Sequence, residues 1–222
     1  MKKNIFVACD FSSQDEAVNL IEQIKNHIFG IKIGLQYVTS TGLNGIKALE
    51  KFNLPIMYDV KAFDIENTVK GFVKSLKKIG ISYATIHLLN GEKTLKSIVD
   101  EAKDIKFLGV SVLTSFSNDD LESLGFKSDV KNQVQRLVKL ASKVNLHGVV
   151  CSPLEVKIVK KIDSKLLCFT PGIRFESNKD DQKRTLTAKE AIGEGSDYLI
   201  IGRPLTSGNP KENIEKIIKS LK

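Results

Sequence analysis

The sequence predicts an α/β fold, specifically a (β/α)8 TIM barrel, and three observations lead to this prediction. Eight short apolar runs recur along the chain, and amphipathic segments separate them. The length of 222 residues lies near the lower end for this fold. No low-complexity linker or Pro/Gly-rich boundary divides the chain, so we expect one domain over residues 1–222. A doubly wound open sheet is the structural alternative, although no GxGxxG motif follows the first apolar run.

The predicted strands are apolar runs of strand length that end at turn or polar residues. In chain order they cover residues 5–10, 30–34, 56–61, 83–88, 107–114, 148–152, 166–171 and 198–202. Three of the segments between them open with helix-capping signals, which are Ser13 followed by Glu16, Thr187 followed by Glu190, and Asn209 followed by Pro210. Strands that alternate with helices in this way predict a parallel sheet.

Composition and charge narrow the class of partner. The 34 Lys and Arg residues exceed the 26 Asp and Glu residues, which gives a formal net charge of +8. The lysines are spread over the predicted helices, and the chain has no zinc-finger spacing, RNP motif or aromatic-rich basic stretch. We therefore expect no nucleic-acid partner and only a modest attraction for anionic small molecules.

The lack of a recognisable targeting signal and the placement of the cysteines predict a cytoplasmic protein. No apolar stretch has the length of a membrane span, and the first residues lack the h-region of a signal peptide, so we expect no membrane partner. Cys9, Cys151 and Cys168 each lie in or at the end of an apolar run, without a CxxC pair. This placement predicts three buried free thiols.

The most informative motif is a cluster of charges that follows the apolar run at residues 54–58. Asp59, Lys61 and Asp64 lie within six residues of one another. In a strand Asp59 and Lys61 point to the same side, whereas Asp64 comes after the chain has turned. Two carboxylates would be forced close together here unless a lysine lay between them. The alternative is a solvated salt-bridge cluster in a loop, since surface ion pairs often mean little.

Other polar residues fall at the carboxyl ends of the predicted strands, where a TIM barrel carries its functional groups. They are Asp10, Lys32, His87, Thr114, Ser115, Arg174 and Arg203, and Pro171 and Gly202 lie in the same turns as the two arginines. The loops after the last two strands contain glycine and arginine. In barrels such loops often bind phosphate, because glycine lets backbone N–H groups approach and arginine supplies a bidentate cation. An organic phosphate is therefore the leading class of ligand.

In these motifs the chain closely resembles the orotidine 5'-phosphate decarboxylase family, in its short prokaryotic form. The similarity covers essentially the whole chain and rests on residues 7–10, the D-x-K-x-x-D-I-x-N-T run at 59–68, and residues 113–115, 170–174 and 202–206. The resemblance implies cofactor-free decarboxylation of orotidine 5'-phosphate to uridine 5'-phosphate in de novo pyrimidine biosynthesis. It also implies a homodimer with shared active sites.

The resemblance assigns roles to individual residues. It implies a catalytic array of alternating charge formed by Lys32, Asp59, Lys61 and Asp64. The substrate-binding residues that it implies are Asp10 at a ribose hydroxyl, Thr114 and Ser115 near the pyrimidine, and Pro171, Arg174, Gln182, Gly202 and Arg203, chiefly around the phosphate. Asp64, Ile65 and Thr68 would come from the partner subunit.

Two positions depart from the family pattern, where many members have histidine before Asp64 and proline after Ile65. This chain has Phe63 and Glu66 there. Loss of the proline frees the backbone, and Glu66 adds a negative charge near the array. Neither position is one of the four charged groups, so the assignment stands.

The chemistry also follows from what the chain lacks. The sequence contains no pyridoxal lysine motif, thiamine site or metal constellation, so we expect no cofactor and no metal. Lys61 is then the candidate proton donor, and the flanking carboxylates favour its ammonium form. One rival is a metal-assisted decarboxylase or aldolase acting on a ketosugar phosphate, which would need more carboxylates at strand ends. The other is a noncatalytic phosphate-ligand-binding or nucleic-acid-binding protein, which would not need a lysine flanked by acids.

Overall fold

The structure is a computed structural model that describes residues 4–175 and 184–221. Eight parallel strands close into a barrel, in which the first strand pairs with the last at Phe6 and Ile200. Closure between the first and last strands rules out the doubly wound open sheet. The prediction of a TIM barrel is confirmed.

The secondary structure follows the expected alternation of strands and helices. The strands are β1 Ile5–Cys9, β2 Gly30–Gly34, β3 Ile56–Ala62, β4 Tyr83–His87, β5 Lys106–Val110, β6 Gly148–Val150, β7 Leu167–Thr170, β8 Ile173–Arg174, β9 Leu186–Thr187 and β10 Tyr198–Ile201. The helices are α1 Gln14–Ile24, α2 Leu35–Glu50, α3 Glu66–Leu76, α4 Gly91–Glu101, α5 Asn118–Ser123, α6 Val130–Lys143, α7 Val156–Ile162, α8 Ala188–Gly193, α9 Arg203–Thr206 and α10 Pro210–Ser220. Short 3₁₀ helices cover Leu88–Asn90 and Pro153–Glu155. Strands β8 and β9 form a separate two-stranded sheet.

Two apolar layers surround the barrel wall, because successive side chains of a strand point to opposite faces. On β1, Ile5 and Val7 pack in the layer beneath the helices, whereas Phe6 belongs to the cluster inside the barrel. The ring centroid of Phe6 lies 5.3 Å from that of Tyr83 and 5.8 Å from that of Phe169. These aromatic side chains fill the interior, so the polar residues collect at the carboxyl ends of the strands.

The largest boundary error concerns the fifth strand, which was predicted over residues 107–114 but ends at Val110. The apolar run continues past the end of the strand, and Val112 in that part is still buried, with 5% of its surface exposed. An apolar run does not by itself distinguish a strand from a buried turn. Leu113 then closes this turn by accepting a hydrogen bond from the Phe116 N–H at 2.9 Å.

The predicted helix caps differ in how they form. Thr187 makes the full capping box with Glu190, and Asn209 accepts hydrogen bonds from the N–H groups at the start of α10. Ser13 stands at the N-cap of α1 but makes no side-chain capping bond. Its position was therefore right, but the proposed hydrogen-bond pattern was not.

The three cysteines are buried and free, as predicted. Burial raises the pKa of the Cys9 thiol to about 12. Among the described residues, no helix has both the length and the apolar character that crossing a membrane would require.

Candidate active site

A network of lysines and aspartates occupies the open end of the barrel at strands β1 to β3. Lys32 lies opposite Ala8 and Met57 in the strand register, and both of these residues belong to the interior cluster. Lys32 therefore points into the barrel. Its Nζ lies 3.0 Å from Asp10 Oδ1 and 3.4 Å from Asp59 Oδ2.

Asp59 is the centre of this network. Its Oδ1 lies 3.0 Å from Lys61 Nζ and accepts a hydrogen bond from the Thr85 hydroxyl at 2.9 Å. Its Oδ2 faces Lys32, so one carboxylate contacts two ammonium groups and one hydroxyl. The sequence prediction that Asp59 and Lys61 share one side of the strand is confirmed by this contact.

Burial and charge oppose each other at the two most buried members. Burial favours the neutral acid at Asp59, but Lys32 and Lys61 outweigh it and lower the pKa of this carboxyl. Burial likewise favours the neutral amine at Lys32, but Asp59 and Asp10 outweigh it and raise the pKa of this ammonium. Both groups are therefore charged at neutral pH. The network has two positive and two negative side chains and is close to neutral as a whole.

The backbone at Lys61 is unusual. Its φ is 50°, in the left-handed region that residues with a side chain rarely adopt. The pairing of β3 with β4 is irregular between Tyr58 and Ala62, which lie opposite Ala84 and Ile86. The Lys61 N–H donates to the hydroxyl of Thr85 at 2.9 Å. Thr85 thus contacts both Asp59 and the backbone of Lys61.

A cavity of about 420 Å³ opens over the network. Nine of the predicted site residues line it, namely Asp10, Lys32, Asp59, Lys61, Thr114, Pro171, Arg174, Gly202 and Arg203. A neighbouring cavity of about 240 Å³ is lined by Ser115 and shares Lys61, Thr114 and Pro171 with the first. The structure therefore brings together residues from strands at opposite ends of the sequence.

The arginine side of the cavity is built by the loops after β7 and β10. Gly172 has a φ of 80°, a conformation that favours glycine and lets the chain turn after Pro171. Arg174 follows on β8, where it lies opposite Thr187 of β9. Arg203 is the first residue of α9 and is exposed. Arg174 and Arg203 thus line the cavity from two separate segments of the chain.

A buried ion pair supports the turn that carries Thr114. Arg184 pairs with Glu155, which is 4% exposed. The same guanidinium donates to the Leu113 carbonyl at 2.8 Å and to the Thr114 carbonyl at 3.4 Å. The position of Thr114 beside the cavity is therefore held by Arg184, which precedes β9 and pairs with Glu155 in the 3₁₀ helix after β6.

Three predicted residues do not line the cavity. Asp64, Ile65 and Thr68 are exposed on the loop after β3 and at the start of α3. The Asp64 N–H donates to Asn90 Oδ1 at 3.2 Å, and the Asn90 amide donates to the Ala62 carbonyl at 2.8 Å. This loop is therefore anchored to the end of β4. Gln182, the remaining predicted residue, lies outside the described residues.

Sequence reasoning missed Thr85 and Gln36. Gln36 lines the cavity and donates to Ser12 Oγ at 3.1 Å. Thr85 gave no signal because threonine is common in strands, and nothing in the sequence revealed the irregular pairing opposite it.

His87 was weighed as a site residue, but it lines a separate apolar cavity of about 210 Å³. Burial, together with the nearby charge of Lys61, lowers the pKa of this histidine.

Within residues 4–175 and 184–221, no group of three or more His, Cys, Asp or Glu side chains is arranged to hold a metal ion.

The closed barrel, with charged side chains at the carboxyl ends of its strands, is the architecture of a TIM-barrel enzyme. Residues 3–217 match the model of the Orotidine 5'-phosphate decarboxylase / HUMPS family, and the chain belongs to this family. Orotidine 5'-phosphate decarboxylase of Wolbachia pipientis subsp. Culex pipiens is 42% identical over 221 residues, which is 98% of each chain. The enzyme of the same name from Legionella pneumophila is 38% identical over 100% of both chains. The crystal structure of orotidine 5'-phosphate decarboxylase from Lactobacillus acidophilus superposes with a TM-score of 0.86, at 32% identity and 99% coverage of each chain.

Proposed function

We propose that this protein decarboxylates orotidine 5'-phosphate to uridine 5'-phosphate in pyrimidine biosynthesis, without a cofactor. The observation that carries the proposal is the Lys32, Asp59 and Lys61 network, which opens directly into the cavity at the barrel mouth. Membership of the family supports the same conclusion.

Lys61 is the proposed proton donor. The bond between C6 of the pyrimidine and the carboxylate breaks, carbon dioxide leaves, and the electron pair stays on C6. A proton from the Lys61 ammonium then replaces the carboxylate on that carbon. Before the proton moves, the ammonium stabilises the developing negative charge. Lys61 is suited to this role because it lines the cavity while Asp59, at 3.0 Å, holds its ammonium in place.

The substrate is anchored at a distance from the reacting carbon. Because the lysine and aspartate network is close to neutral, it offers little net attraction for a phosphate dianion. Arg174 and Arg203 supply the additional positive charge, with Pro171 and Gly202 beside them in the wall of the cavity. Phosphate binding then provides energy that positions the pyrimidine against Lys61. The resemblance adds Gln182 to this phosphate site.

The remaining roles follow the same division of the cavity. Asp10, held by Lys32 at 3.0 Å, is the proposed partner of a ribose hydroxyl. Thr114 and Ser115 are proposed to contact the pyrimidine, since they line the side of the cavity near Lys61. Each assignment can be tested by comparing the binding of nucleotides, nucleosides and free bases.

We also propose a homodimer in which each site receives Asp64, Ile65 and Thr68 from the partner subunit. Apolar side chains that follow strand ends are unusually exposed here, at 61% for Phe63 and 72% for Ile65. Such side chains favour an interface when they cluster at one end of a protein. A second copy that covered them would bring Asp64 towards a neighbouring cavity.

Two broader features complete the proposal. We infer a single domain, since the barrel closes β1 against β10 across almost the whole chain. We also infer a cytoplasmic location, because three buried free thiols are typical of proteins that work in a reducing compartment.

A single assay separates the proposed function from its rivals. Orotidine 5'-phosphate is added to the purified protein in the presence of a chelator, and the loss of orotate absorbance is followed. Turnover with the chelator present is expected. Turnover that stops when the chelator is present would contradict the metal-free mechanism. No turnover of this substrate, together with cation-dependent turnover of a ketosugar phosphate, would favour the metal-assisted rival, and no turnover despite tight nucleotide binding would favour a noncatalytic binding protein.

The Lys61→Ala variant tests the proton donor. We expect turnover to be abolished while uridine 5'-phosphate still binds in calorimetry, because the phosphate and ribose contacts remain. Lys157→Ala is the matched control, since Lys157 is 72% exposed and pairs only with surface Glu194 among the described residues. Activity of Lys61→Ala within about tenfold of the parent, about 1.4 kcal/mol, would remove Lys61 from this role.

Subunit exchange tests the shared site. Lys61→Ala and Asp64→Ala homodimers carry one lesion in every site, if each site combines Lys61 from one chain with Asp64 from the other. Mixed dimers then have one site with both lesions and one intact site. Random exchange of equal amounts should restore about a quarter of parental activity, because half the dimers are mixed and half of their sites are intact. Verified exchange without recovery would place both residues within one chain.

A further inference from the structure

The feature that the proposed mechanism leaves unexplained is the buried hydroxyl of Thr85. This side chain lies in the middle of β4 and has 0% of its surface exposed. Its hydroxyl donates to Asp59 Oδ1 and accepts from the Lys61 N–H, both at 2.9 Å. One oxygen therefore joins the side chain of one proposed catalytic residue to the backbone of the other.

We propose that Thr85 is a positioning residue for the decarboxylation, and that its hydroxyl sets the geometry of the Asp59 and Lys61 pair. This inference rests on the proposed function of those two residues. It assigns a role on β4, a strand that contributes none of the proposed catalytic side chains.

The hydroxyl of Thr85 can serve both of its partners at once. A threonine hydroxyl has one proton to donate and lone pairs that accept. The carboxylate of Asp59 can only accept, and the N–H of Lys61 can only donate. Both hydrogen bonds therefore have a defined direction, and no other assignment of donor and acceptor satisfies both partners.

The backbone of Lys61 needs support from its surroundings. Its φ of 50° is strained for a residue with a side chain, and such strain persists only where the surroundings hold the backbone in place. Between Tyr58 and Ala62 on β3 the chain advances four residues, while its partner β4 advances only from Ala84 to Ile86. The ladder is thus interrupted at Lys61. The Thr85 hydroxyl supplies an acceptor there for the Lys61 N–H.

Thr85 is also more rigid than the lysine that it supports. Lys61 has a long side chain that is 39% exposed, so Asp59 can place its ammonium only if the Asp59 carboxylate is itself fixed. Threonine is branched at Cβ and restricted at χ1, and this one is fully buried. Thr85 is therefore the fixed point against which the carboxylate of Asp59 is held, while Asp59 in turn holds the ammonium of Lys61.

Three substitutions separate this role from simple packing. Thr85→Val keeps the shape but lacks the hydroxyl, Thr85→Ser keeps the hydroxyl, and Thr85→Ala removes the hydroxyl with less bulk. Thr94→Val is the matched control, because Thr94 is also a buried threonine but lies on α4. Circular dichroism and thermal unfolding of every variant establish that it is folded.

The readout is single-turnover and steady-state decarboxylation of orotidine 5'-phosphate. Thr85→Val is expected to lower kcat by about 10- to 100-fold, the scale of a misplaced reacting group, while KM stays within about threefold. Thr85→Ser should recover kcat to within about threefold of the parent, and Thr94→Val should leave it unchanged. If Thr85→Val does not fold, Thr85→Ala takes its place against Thr85→Ser.

The proposal is overturned if the variant without the hydroxyl retains kcat within about threefold of the parent, or if Thr85→Ser is as impaired as Thr85→Val. Either result, with an active parent, leaves the proposed function intact. A parent that does not decarboxylate the substrate overturns the proposed function instead, and the role of Thr85 falls with it.

Discussion

Replacement of Asp59 by asparagine should destabilise the fold as well as impair the site. The carboxylate contacts Lys61 at 3.0 Å and Lys32 at 3.4 Å, and its side chain is only 11% exposed. Asparagine has almost the same shape but no charge. One positive charge of the network would then lack a negative partner in a largely buried position.

The magnitude follows from the exposure of the partners. Breaking a buried ion pair by removing one partner costs about 3 to 5 kcal/mol. Lys32 keeps Asp10 at 3.0 Å, and Lys61 is partly solvated, so the low end of that range applies. We expect Asp59→Asn to lower the free energy of unfolding by about 3 kcal/mol at pH 7, which corresponds to about 6 to 12 °C in Tm for a chain of this size.

The effect should depend on pH with a definite sign. Because the pKa of Asp59 is lowered on folding, its charge stabilises the fold above the ordinary value of 3.8, and this contribution is lost as the pH falls through the lowered pKa. The difference in the free energy of unfolding between the parent and Asp59→Asn is therefore expected to be constant from pH 7 to about 5 and to become smaller at more acidic pH.

Urea unfolding followed by circular dichroism measures this gap at each pH. Glu92→Gln is the control, because the Glu92 and Lys143 side chains of that surface pair are 50% and 65% exposed. It should change the free energy of unfolding by less than about 1 kcal/mol. An Asp59→Asn variant as stable as the parent at pH 7, or a gap that does not depend on pH, would refute the reasoning.

Two further predictions concern the wall of the cavity. Arg203→Ala should weaken nucleotide binding by about 1.5 to 3 kcal/mol in calorimetry, since the lost contact is a charged hydrogen bond to phosphate. Nucleoside binding should be almost unaffected. Equal losses of affinity for nucleotides and nucleosides would mean that Arg203 does not recognise phosphate. Gly34→Ala should lower kcat, because a Cβ at this position would lie 3.3 Å from Asp10 Oδ1 and 3.4 Å from Lys32 Nζ. Gly71→Ala is the control and should leave kcat unchanged, because a Cβ there would meet no neighbouring atom within 4 Å. Equal rates for the two variants would show that the network tolerates the added methyl group.

The order of strands and the residues at their carboxyl ends could be predicted because both depend on local pattern. Short apolar runs identify strands, and parallel strands in a barrel present their carboxyl ends at one mouth. That rule alone brought Asp10, Lys32 and Asp59 together with Arg174 and Arg203. The structure places all five around one cavity.

The contacts that depend on register could not be predicted in the same way. Thr85 meets Asp59 and Lys61 where the pairing of β3 with β4 is irregular, and no residue pattern indicates this irregularity. Arg184 holds the turn at Leu113 through contacts between residues about seventy positions apart. Such contacts follow from tertiary packing, which a single sequence does not reveal.

The structure also gives a physical account of glutamate in place of proline after Ile65. Glu66 is the first residue of α3, a position where proline is favoured for its fixed φ and where an acidic side chain is favoured by the helix dipole. Its carboxylate pairs with Lys70 at 2.6 Å and with Lys93 at 3.0 Å. The negative charge expected near the array is therefore balanced by two lysines outside it.

The same loop shows how rigidity can be supplied without proline. Asn90 accepts from the Asp64 N–H and donates to the carbonyls of Ala62 and His87, so one side chain ties the loop to the end of β4. Proline restricts the unfolded chain, whereas these hydrogen bonds and the ion pairs of Glu66 act only in the folded state. Loop order should therefore depend on these specific contacts. In the proposed shared site, Thr85 on β4 would hold Asp59 and Lys61, whereas Asp64 would depend on side-chain contacts of its loop that single substitutions can remove.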